Sequence, residues 1–375
     1  MIIKLAKRNL FHDRARFLVT LVGILFAVLL VAIQLGMFFG ARQMITAMVE
    51  RANGDIWIGA YGADSIEQGL LLTGRERFVA LSVPGVQEVR PLLVSFAEWR
   101  KPDQSTAHVV VVGSNNGEEE GLTPWNVVEG SSFPVSPSGV IVDRTYAKGL
   151  GVSGVGSVAQ IEGHPVRVEG MTEGIRSFTT SPYVFTSLSR AHTLTSVPQG
   201  QANFYLVKLA PGADVTQVKR ELQSRLGKVY VFTKEEFRRQ NLNYWLFGTG
   251  AGGALLGGTV LGLIVGTVIV AQTLYSSTKD HLSEFATLRA LGSSAQYIHK
   301  VILAQAAVSG LCGWALGTVL TIFITAVSGD AALPIIFTPS LAAFLLLVTL
   351  LMCAVSAVSS ILKVTKIDPA MVFSR

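Results

Sequence analysis

The sequence predicts an α-helical membrane protein in which four transmembrane helices carry a large extracytoplasmic α+β domain between the first and second helices. Three observations lead to this fold class. Half of the 375 residues are hydrophobic and only 15% are charged, and the mean hydropathy is +0.47. Four long apolar runs carry almost no charge, and residues 41–242, between the first two runs, contain several β-rich segments bounded by Gly or Pro.

The first two apolar runs differ in length. No Asp, Glu, Lys or Arg occurs between Arg16 and Arg42, and this run exceeds the roughly 20 residues that a helix needs to cross a bilayer. It is too long for the apolar part of a secretory signal peptide, so we expect it to be retained. The second run is apolar from Trp245 to Leu274 and as a helix would measure about 45 Å, against a hydrocarbon core of about 30 Å. We therefore expect it to tilt or to project from the bilayer as a stalk.

The apolar runs and their flanks divide the chain into successive segments. In order these are a cytoplasmic amphipathic N-terminal segment (1–16), span 1 (17–40), the extracytoplasmic α+β domain (41–242), span 2 with its stalk (243–275), a cytoplasmic coupling segment (276–299), span 3 (300–327), a short external loop (328–340), span 4 (341–362) and a cytoplasmic C-terminus (363–375). Lys and Arg occur in the three cytoplasmic segments and are missing from the external loop. Because cytoplasmic loops carry an excess of Lys and Arg, both termini are predicted to face the cytoplasm.

The distribution of charge identifies a bilayer rather than a nucleic acid as the partner. The net charge is +6, but residues 42–239 contain 20 basic and 20 acidic side chains. The basic excess therefore lies in the short segments that flank the apolar runs, where it meets anionic headgroups. We predict no nucleic-acid partner.

The extracytoplasmic domain reads as mixed α and β. Strands are predicted at 108–113, 139–143 and 165–168, each bounded by Gly, Pro or Asp. Near the end of the domain, a strand at 203–209 is followed by a helix whose apolar residues share one face and then by a strand at 228–232. This order predicts a β-α-β unit.

The stretch GTGAGG at 248–253 satisfies the dinucleotide pattern G-x-G-x-x-G. That fingerprint needs a preceding buried strand and an acid about 20 residues later. Here an aromatic segment precedes it, and the first acid that follows is Asp280. The glycines favour helix packing instead, because Gly258, Gly262 and Gly266 recur every fourth residue and form a small-residue stripe that lets another helix approach closely.

No pattern for chemistry is present. The chain has neither a Walker A motif nor an H-E-x-x-H zinc motif, and apart from Lys300 at the cytoplasmic edge of span 3 its spans contain no Asp, Glu, Lys or Arg. We therefore predict no catalytic, cofactor-binding or metal-binding residues. A proton-driven transporter is disfavoured because its coupling site needs an ionisable group in the membrane.

The cytoplasmic segment after span 2 contains a short amphipathic helix. Leu282, Phe285 and Leu288 supply its apolar side, and Gly292 suits its C-terminal cap. Two readings stay open: a helix resting on the membrane surface, or a docking helix whose apolar face enters a groove on a cytoplasmic protein, with Glu284 and Arg289 at the polar rim.

This segment resembles that of the permease subunits of the MacB, FtsX and LolC/LolE superfamily of ABC transporters, in which an acid precedes an L-R-A-x-G core. Glu284 and residues 288–292, LRALG, stand at those positions. The arrangement of one span, a large outer domain and three clustered spans is similar over essentially the whole length. Within the group the chain is most similar to the DevC type, on residues 281–289, 23–28, 34–36 and 367–373.

The resemblance implies a homodimeric permease in the bacterial inner membrane, bound to a separate ABC ATPase subunit that holds ATP and Mg. It implies that the ATPase is coupled through Glu284, Phe285, Leu288, Arg289 and Gly292, and that a periplasmic adaptor (membrane fusion protein) and an outer-membrane channel complete the assembly. The cargo would be lipid-like or amphipathic, moved by motion that the permease transmits to its outer domain. The alternatives are an FtsX-like regulator that activates a periplasmic cell-wall hydrolase, and a membrane-anchored enzyme, for which the sequence offers no catalytic constellation.

Overall fold

The computed structural model describes residues 14–68, 70–115, 121–280, 287, 293–328 and 333–364. The chain forms two compact units: a membrane unit of Met1–Gly40 with Gly252–Arg375, and an outer unit of Ala41–Ala251. Within these described ranges, four helices are long and apolar enough to cross a membrane: α1 (Arg14–Arg51), α7 (Ala251–Asp280), α8 (Ala295–Val327) and α9 (Pro339–Val364). The predicted fold class is confirmed by these four helices together with the α+β outer unit between the first two.

The membrane unit is held by apolar packing along the helices. One buried cluster joins α1, α7, α8 and α9 and includes Ile24, Val28, Val270, Leu274, Ile302 and Met352. Two polar side chains inside the spans bond to the backbone of a neighbouring helix, a partner that water cannot supply in apolar surroundings. The Trp314 indole nitrogen donates to the Ala342 carbonyl at 3.0 Å, and Ser356 Oγ donates to the Thr267 carbonyl at 2.9 Å. These two bonds join α8 to α9 and α9 to α7.

Helix α1 continues to Arg51, past the predicted end of span 1 at residue 40. Its last turns keep an apolar face, with Ile45, Met48 and Val49 buried. Because these residues recur at the i, i+3, i+4 spacing of one helix face, the outer unit can bury them without breaking the helix. Helix α1 therefore contributes residues to both units.

The expectation of one continuous stalk and span over 243–275 is wrong. Helix α6 (Lys234–Leu242) leads into a π-helix over Asn243–Gly248, and α7 begins only at Ala251. Gly250 between them has a φ of +79°, which is the left-handed conformation that ends helices and that glycine adopts without a Cβ clash. GTGAGG is therefore the site of a helix break, and a π-helix adjoins that break.

The outer unit contains a mixed sheet and short helices. Its strands are β1 (Ile56–Ala60), β2 (Val86–Arg100), β3 (Thr106–Ser114), β4 (Val127–Gly130), β5 (Gly139–Asp143), β6 (Val158–Ile161), β7 (His164–Thr172), β8 (Tyr183–Ser187), β9 (Phe204–Leu209) and β10 (Val229–Thr233). Its other helices are α2 (Arg75–Leu81), α3 (Ala147–Leu150), α4 (Leu188–Thr195) and α5 (Val215–Leu226). The predicted strands near 108, 139, 165, 203 and 228 are all present.

The long strand β2 belongs to two half-sheets. Residues before Leu93 pair with β9, and Leu93 to Arg100 pair with β3. The first half-sheet has the order β10-β1-β9-β2, and the second continues β2-β3-β8-β5-β7-β4. Strand β6 pairs with both β2 and β7, which closes the second half-sheet into a ring of β2, β3, β8, β5, β7 and β6. The predicted β-α-β unit is β9-α5-β10, with β1 inserted between its two parallel strands.

Candidate functional site

The predicted coupling site lies outside the part of the chain that the structure describes. Glu284, Phe285, Leu288, Arg289 and Gly292 all lie outside the described residues. On either side, α7 ends at Asp280 and α8 begins at Ala295, where Ser294 caps the helix by accepting a hydrogen bond from Tyr297 N at 3.3 Å.

The predicted glycine stripe lies on the side of α7 that meets α1. A Cβ added to Gly258 would lie 2.7 Å from Gln34 Nε2, and one added to Gly262 would lie 2.5 Å from Leu30 Cδ2. At Gly266 the added atom would collide with the Cβ of Ala27. The side chains of α1 therefore occupy the space that side chains on these three positions of α7 would need, and the absence of a Cβ lets the two helices approach closely along the stripe.

Gly36 and Gly40 of α1, which the sequence analysis did not single out, contact the residues that precede α9 rather than α7. Residues 333–338, which precede α9, lie against α1, where Ile336 N donates to the Gly36 carbonyl at 3.1 Å. A Cβ on Gly40 would collide with the Pro334 carbonyl. The G-x-x-x-G spacing of Gly36 and Gly40 was available in the sequence as a signal.

The docked segment forms one wall of an apolar cleft in the membrane unit. The cleft has a volume of about 490 Å³. Its lining comes from α1, the segment and the start of α9: Leu35, Phe39, Ile336, Thr338, Ser340, Leu341 and Phe344.

In the outer unit, the end of α1 and helix α6 share one buried cluster. Met48 and Val49 of α1 belong to the same core as Phe237 of α6 and Trp57 of β1. The rings of Trp57 and Phe237 have centroids 4.6 Å apart, and Phe237 also lies 5.3 Å from Phe204. Aromatic pairs at such separations gain energy beyond their buried area, so the two helices are anchored in the same rigid region.

A lysine joins the two helices directly. Lys234, the first residue of α6, donates through Nζ to the Ala52 carbonyl at 2.9 Å, just beyond the end of α1. Partial burial lowers the pKa of Lys234, and the nearby Asp55 carboxylate opposes this shift. A cationic donor at this position suits the negative end of the α1 dipole.

The start of α6 carries a capping box. Glu236 N donates to Thr233 Oγ1 at 3.3 Å, and Thr233 N donates to Glu236 Oε2 at 2.8 Å. The Glu236 carboxylate also accepts from Lys219 Nζ of α5 at 2.6 Å. Desolvation raises the pKa of Glu236, but the hydrogen bonds from Lys219 and Thr233 outweigh it, so the pKa lies below its ordinary value.

The other end of α6 is fixed to residues 64–66. Asn241, which is fully buried, accepts a hydrogen bond from Ile66 N at 2.9 Å through Oδ1 and donates to the Phe237 carbonyl at 2.8 Å. Gln240 Nε2 donates to Asp64 Oδ1 at 3.3 Å. Both ends of α6 are thus tied to the first half-sheet and its connections, and we call α6 with its π-helix, residues 234–248, the stalk.

Two family models match the chain. Residues 17–225 match the MacB-like periplasmic core domain, and residues 257–369 match the FtsX-like permease C-terminal domain. The first match alone covers more than half of the 375 residues.

The chain is also similar to individual proteins. An uncharacterized ABC transporter permease of Methanocaldococcus jannaschii is 22% identical over 352 residues, which is 87% of this chain and 84% of the relative. Among solved structures, the periplasmic region of MacB from Actinobacillus actinomycetemcomitans is 13% identical with a TM-score of 0.38, covering 53% of this chain and 98% of that one. The extracellular domain of the noncanonic ABC-type transporter YknZ from Gram-positive bacteria is 15% identical with a TM-score of 0.35, covering 48% of this chain and 100% of that one.

The fold and the matches define a multi-pass membrane permease of the ABC transporter class. Within that class the chain belongs to the MacB/FtsX family. The DevC type stays a prediction.

Proposed function

We propose that this chain is the permease subunit of an ABC exporter and that it transmits the motion of a separate ATPase subunit to the outer unit. One observation carries the proposal: the end of α1 and the stalk are built into one aromatic core and are bonded to each other through Lys234 and Ala52. A displacement of either helix would therefore act on the outer unit as a whole rather than on a loose loop.

Helix α1 is continuous whereas the stalk is separated from α7, and this difference favours a transmission role. Helix α1 runs without interruption from Arg14 to Arg51, whereas the stalk is separated from α7 by the left-handed Gly250. Hinges lie at a few residues that absorb a change of φ and ψ, and π-helical turns are frequent at functional sites. The hinge in this proposal is residues 249–250, between the stalk and α7, next to the π-helical turn.

The assembly and its location are part of the proposal. The chain works as a homodimer in the bacterial inner membrane. Both termini lie in the cytoplasm, because the segments that contain them carry Lys and Arg whereas the external loop carries none. Its ATPase partner binds ATP and Mg and contacts the segment with Glu284, Phe285, Leu288, Arg289 and Gly292. A periplasmic adaptor and an outer-membrane channel complete the path of a lipid-like or amphipathic cargo, as the resemblance to the DevC type suggests.

The experiment is affinity purification of the full chain from its native membrane in mild detergent, with partners identified by mass spectrometry. Arg289→Glu should release the ATPase or abolish stimulation of its activity, while Lys228→Glu, a charge reversal at an exposed residue of the outer unit, should leave both unchanged. Recovery of the wild-type chain with no ATP-hydrolysing subunit would contradict the proposal. Recovery of an adaptor would support export. Recovery of a cell-wall hydrolase would instead favour the alternative function, an FtsX-like regulator that activates such a hydrolase.

A further inference from the structure

The connection between β7 and β8, residues 173–182, is fastened to a buried acid. Glu67 lies on a 3-10 turn over Ile66–Gln68 and is only 6% exposed. Its carboxylate accepts hydrogen bonds from Ser177 Oγ at 2.7 Å, from Thr179 Oγ1 at 2.9 Å and from the Tyr183 hydroxyl. Burial, and after it the Glu67 charge, raises the pKa of Tyr183 well above its ordinary value, so Tyr183 remains a donor.

The same connection is fixed to the second half-sheet at its other end. Asp143, the last residue of β5, is 1% exposed. Its Oδ2 accepts from Ile175 N at 2.7 Å and from Thr172 Oγ1 at 3.0 Å. Residues 173–182 therefore move with β5, β7 and β8.

Two contacts tie this connection to the stalk. The turn that carries Glu67 is bonded to Asn241 through Ile66 N at 2.9 Å. Phe178 packs directly on Trp245 of the π-helix, with ring centroids 5.4 Å apart. Helix α1 reaches the second half-sheet separately, because Met48 and Val49 share a buried cluster with Ile141 of β5 and Phe185 of β8. The Arg51 guanidinium also lies 5.6 Å from the ring centroid of Trp125, which precedes β4.

A buried carboxylate is costly unless its oxygens are satisfied, and charge-assisted hydrogen bonds are stronger than neutral ones. The three hydroxyl donors belong to one connection and to the strand that follows it, so the Glu67 site is satisfied only when these elements are in place. The contact is consequently stiff: the turn and the connection separate only if Glu67 is left without its partners.

We propose that Glu67 and residues 173–182 form the link by which the stalk moves the second half-sheet, with Glu67 as a positioning residue. The inference rests on the proposed function, since it assigns a route to the motion that the ATPase supplies. It gives the second half-sheet two connections to the helices: the buried core that Met48 and Phe237 share with β3, β5 and β8, and the polar and aromatic link through Glu67 and Phe178–Trp245.

The test is hydrogen–deuterium exchange of the purified complex with its ATPase, without nucleotide and trapped with ATP and vanadate. In the wild type, exchange should change both in the stalk and in β5 and β8. In Phe178→Ala and Glu67→Ala, the change in the stalk should persist, while that in β5 and β8 should fall by at least half. Glu67→Gln, which keeps an acceptor oxygen, should restore most of the response, and Phe78→Ala, at an exposed aromatic, should have no effect.

The outcomes separate the two proposals. An undiminished change in β5 and β8 in Phe178→Ala and Glu67→Ala would overturn the link while leaving the proposed function intact. A wild-type outer unit that responds nowhere to trapped nucleotide would overturn both. Phe178→Ala leaves the buried Glu67 network in place, so it remains informative if Glu67→Ala fails to fold.

Discussion

Lys234 Nζ and the Ala52 carbonyl oxygen lie 2.9 Å apart, and this single hydrogen bond joins the first residue of the stalk to the residue that follows α1. The carbonyls at the end of a helix lack intrahelical partners and carry partial negative charge. A lysine from a second helix satisfies one of them here. The bond therefore fixes the start of the stalk to the end of α1 within the outer unit.

Replacing Lys234 should weaken the attachment of the stalk to the end of α1. In Lys234→Met the alkyl chain is kept and the hydrogen bond is lost, which should cost about 1 kcal/mol of stability. Stimulation of the partner ATPase should decline while membrane insertion stays intact. Thermal unfolding in detergent and the ATPase rate of the complex measure the two effects. Lys228→Met, at an exposed lysine, is the matched control, and equal behaviour of the two variants would contradict the role of Lys234.

The capping box predicts a pH dependence. Because the folded-state pKa of Glu236 lies below its ordinary value of 4.5, its stabilising contribution is fully present above that pH and is lost as the pH falls through the folded pKa. The unfolding temperature of the wild type should therefore drop on acidification below pH 4.5, and Glu236→Gln should show a shallower drop. Glu129→Gln, at an exposed acid, is the control; parallel curves for Glu236→Gln and the wild type would exclude this contribution.

The glycine stripe on α7 should tolerate a methyl group only where space exists. Gly266→Ala places a Cβ against that of Ala27, which is fixed to its own backbone, so the helices must separate. Overpacking of this kind costs about 1–3 kcal/mol. Gly257→Ala, with no atom within 4 Å of the added Cβ, should be neutral or stabilise the helix by up to about 1 kcal/mol. Unfolding temperatures in one detergent compare the two, and equal values would refute close packing at Gly266.

Docking of the 333–338 segment on α1 should depend on Gly40. Gly40→Ala brings a Cβ into collision with the Pro334 carbonyl and should lift the segment from α1. A cysteine at Ile335, in a background with Cys312 and Cys353 replaced by Ser and Ala, should then react with a maleimide several-fold faster. Gly253→Ala, where the added atom has open space, should leave the rate unchanged; an unchanged rate in Gly40→Ala as well would show that the segment is not held there.

Much of the architecture is encoded locally and could be predicted. The β-branched runs near 108 and 139 become β3 and β5, and the apolar face of 215–226 becomes α5. The continuation of α1 to Arg51 had a signal, because Ile45, Met48 and Val49 extend one helix face past the last predicted residue of span 1. The helix break at Gly250 could not be predicted, because an apolar, glycine-rich run is equally compatible with a continuous transmembrane helix.

The contacts that fasten the stalk to the rest of the outer unit could not be predicted from the local sequence pattern. Asn241 and Ile66, or Glu67 and Ser177, are far apart in sequence and meet only once the half-sheets have formed. A lone Glu in a turn reads as a solvated residue, and only its burial among three hydroxyl donors identifies it. The predicted coupling residues around Arg289 rest on resemblance and stay a prediction.

The central claim is that nucleotide binding by a partner ATPase moves the outer unit. It is tested most directly by hydrogen–deuterium exchange of the wild-type complex, compared between its nucleotide-free and ATP-trapped states, in peptides covering residues 234–250. The account predicts a nucleotide-dependent change in these peptides, centred on the π-helix and Gly250. A change confined to the cytoplasmic segment and the spans, with residues 234–250 unaltered, would contradict it.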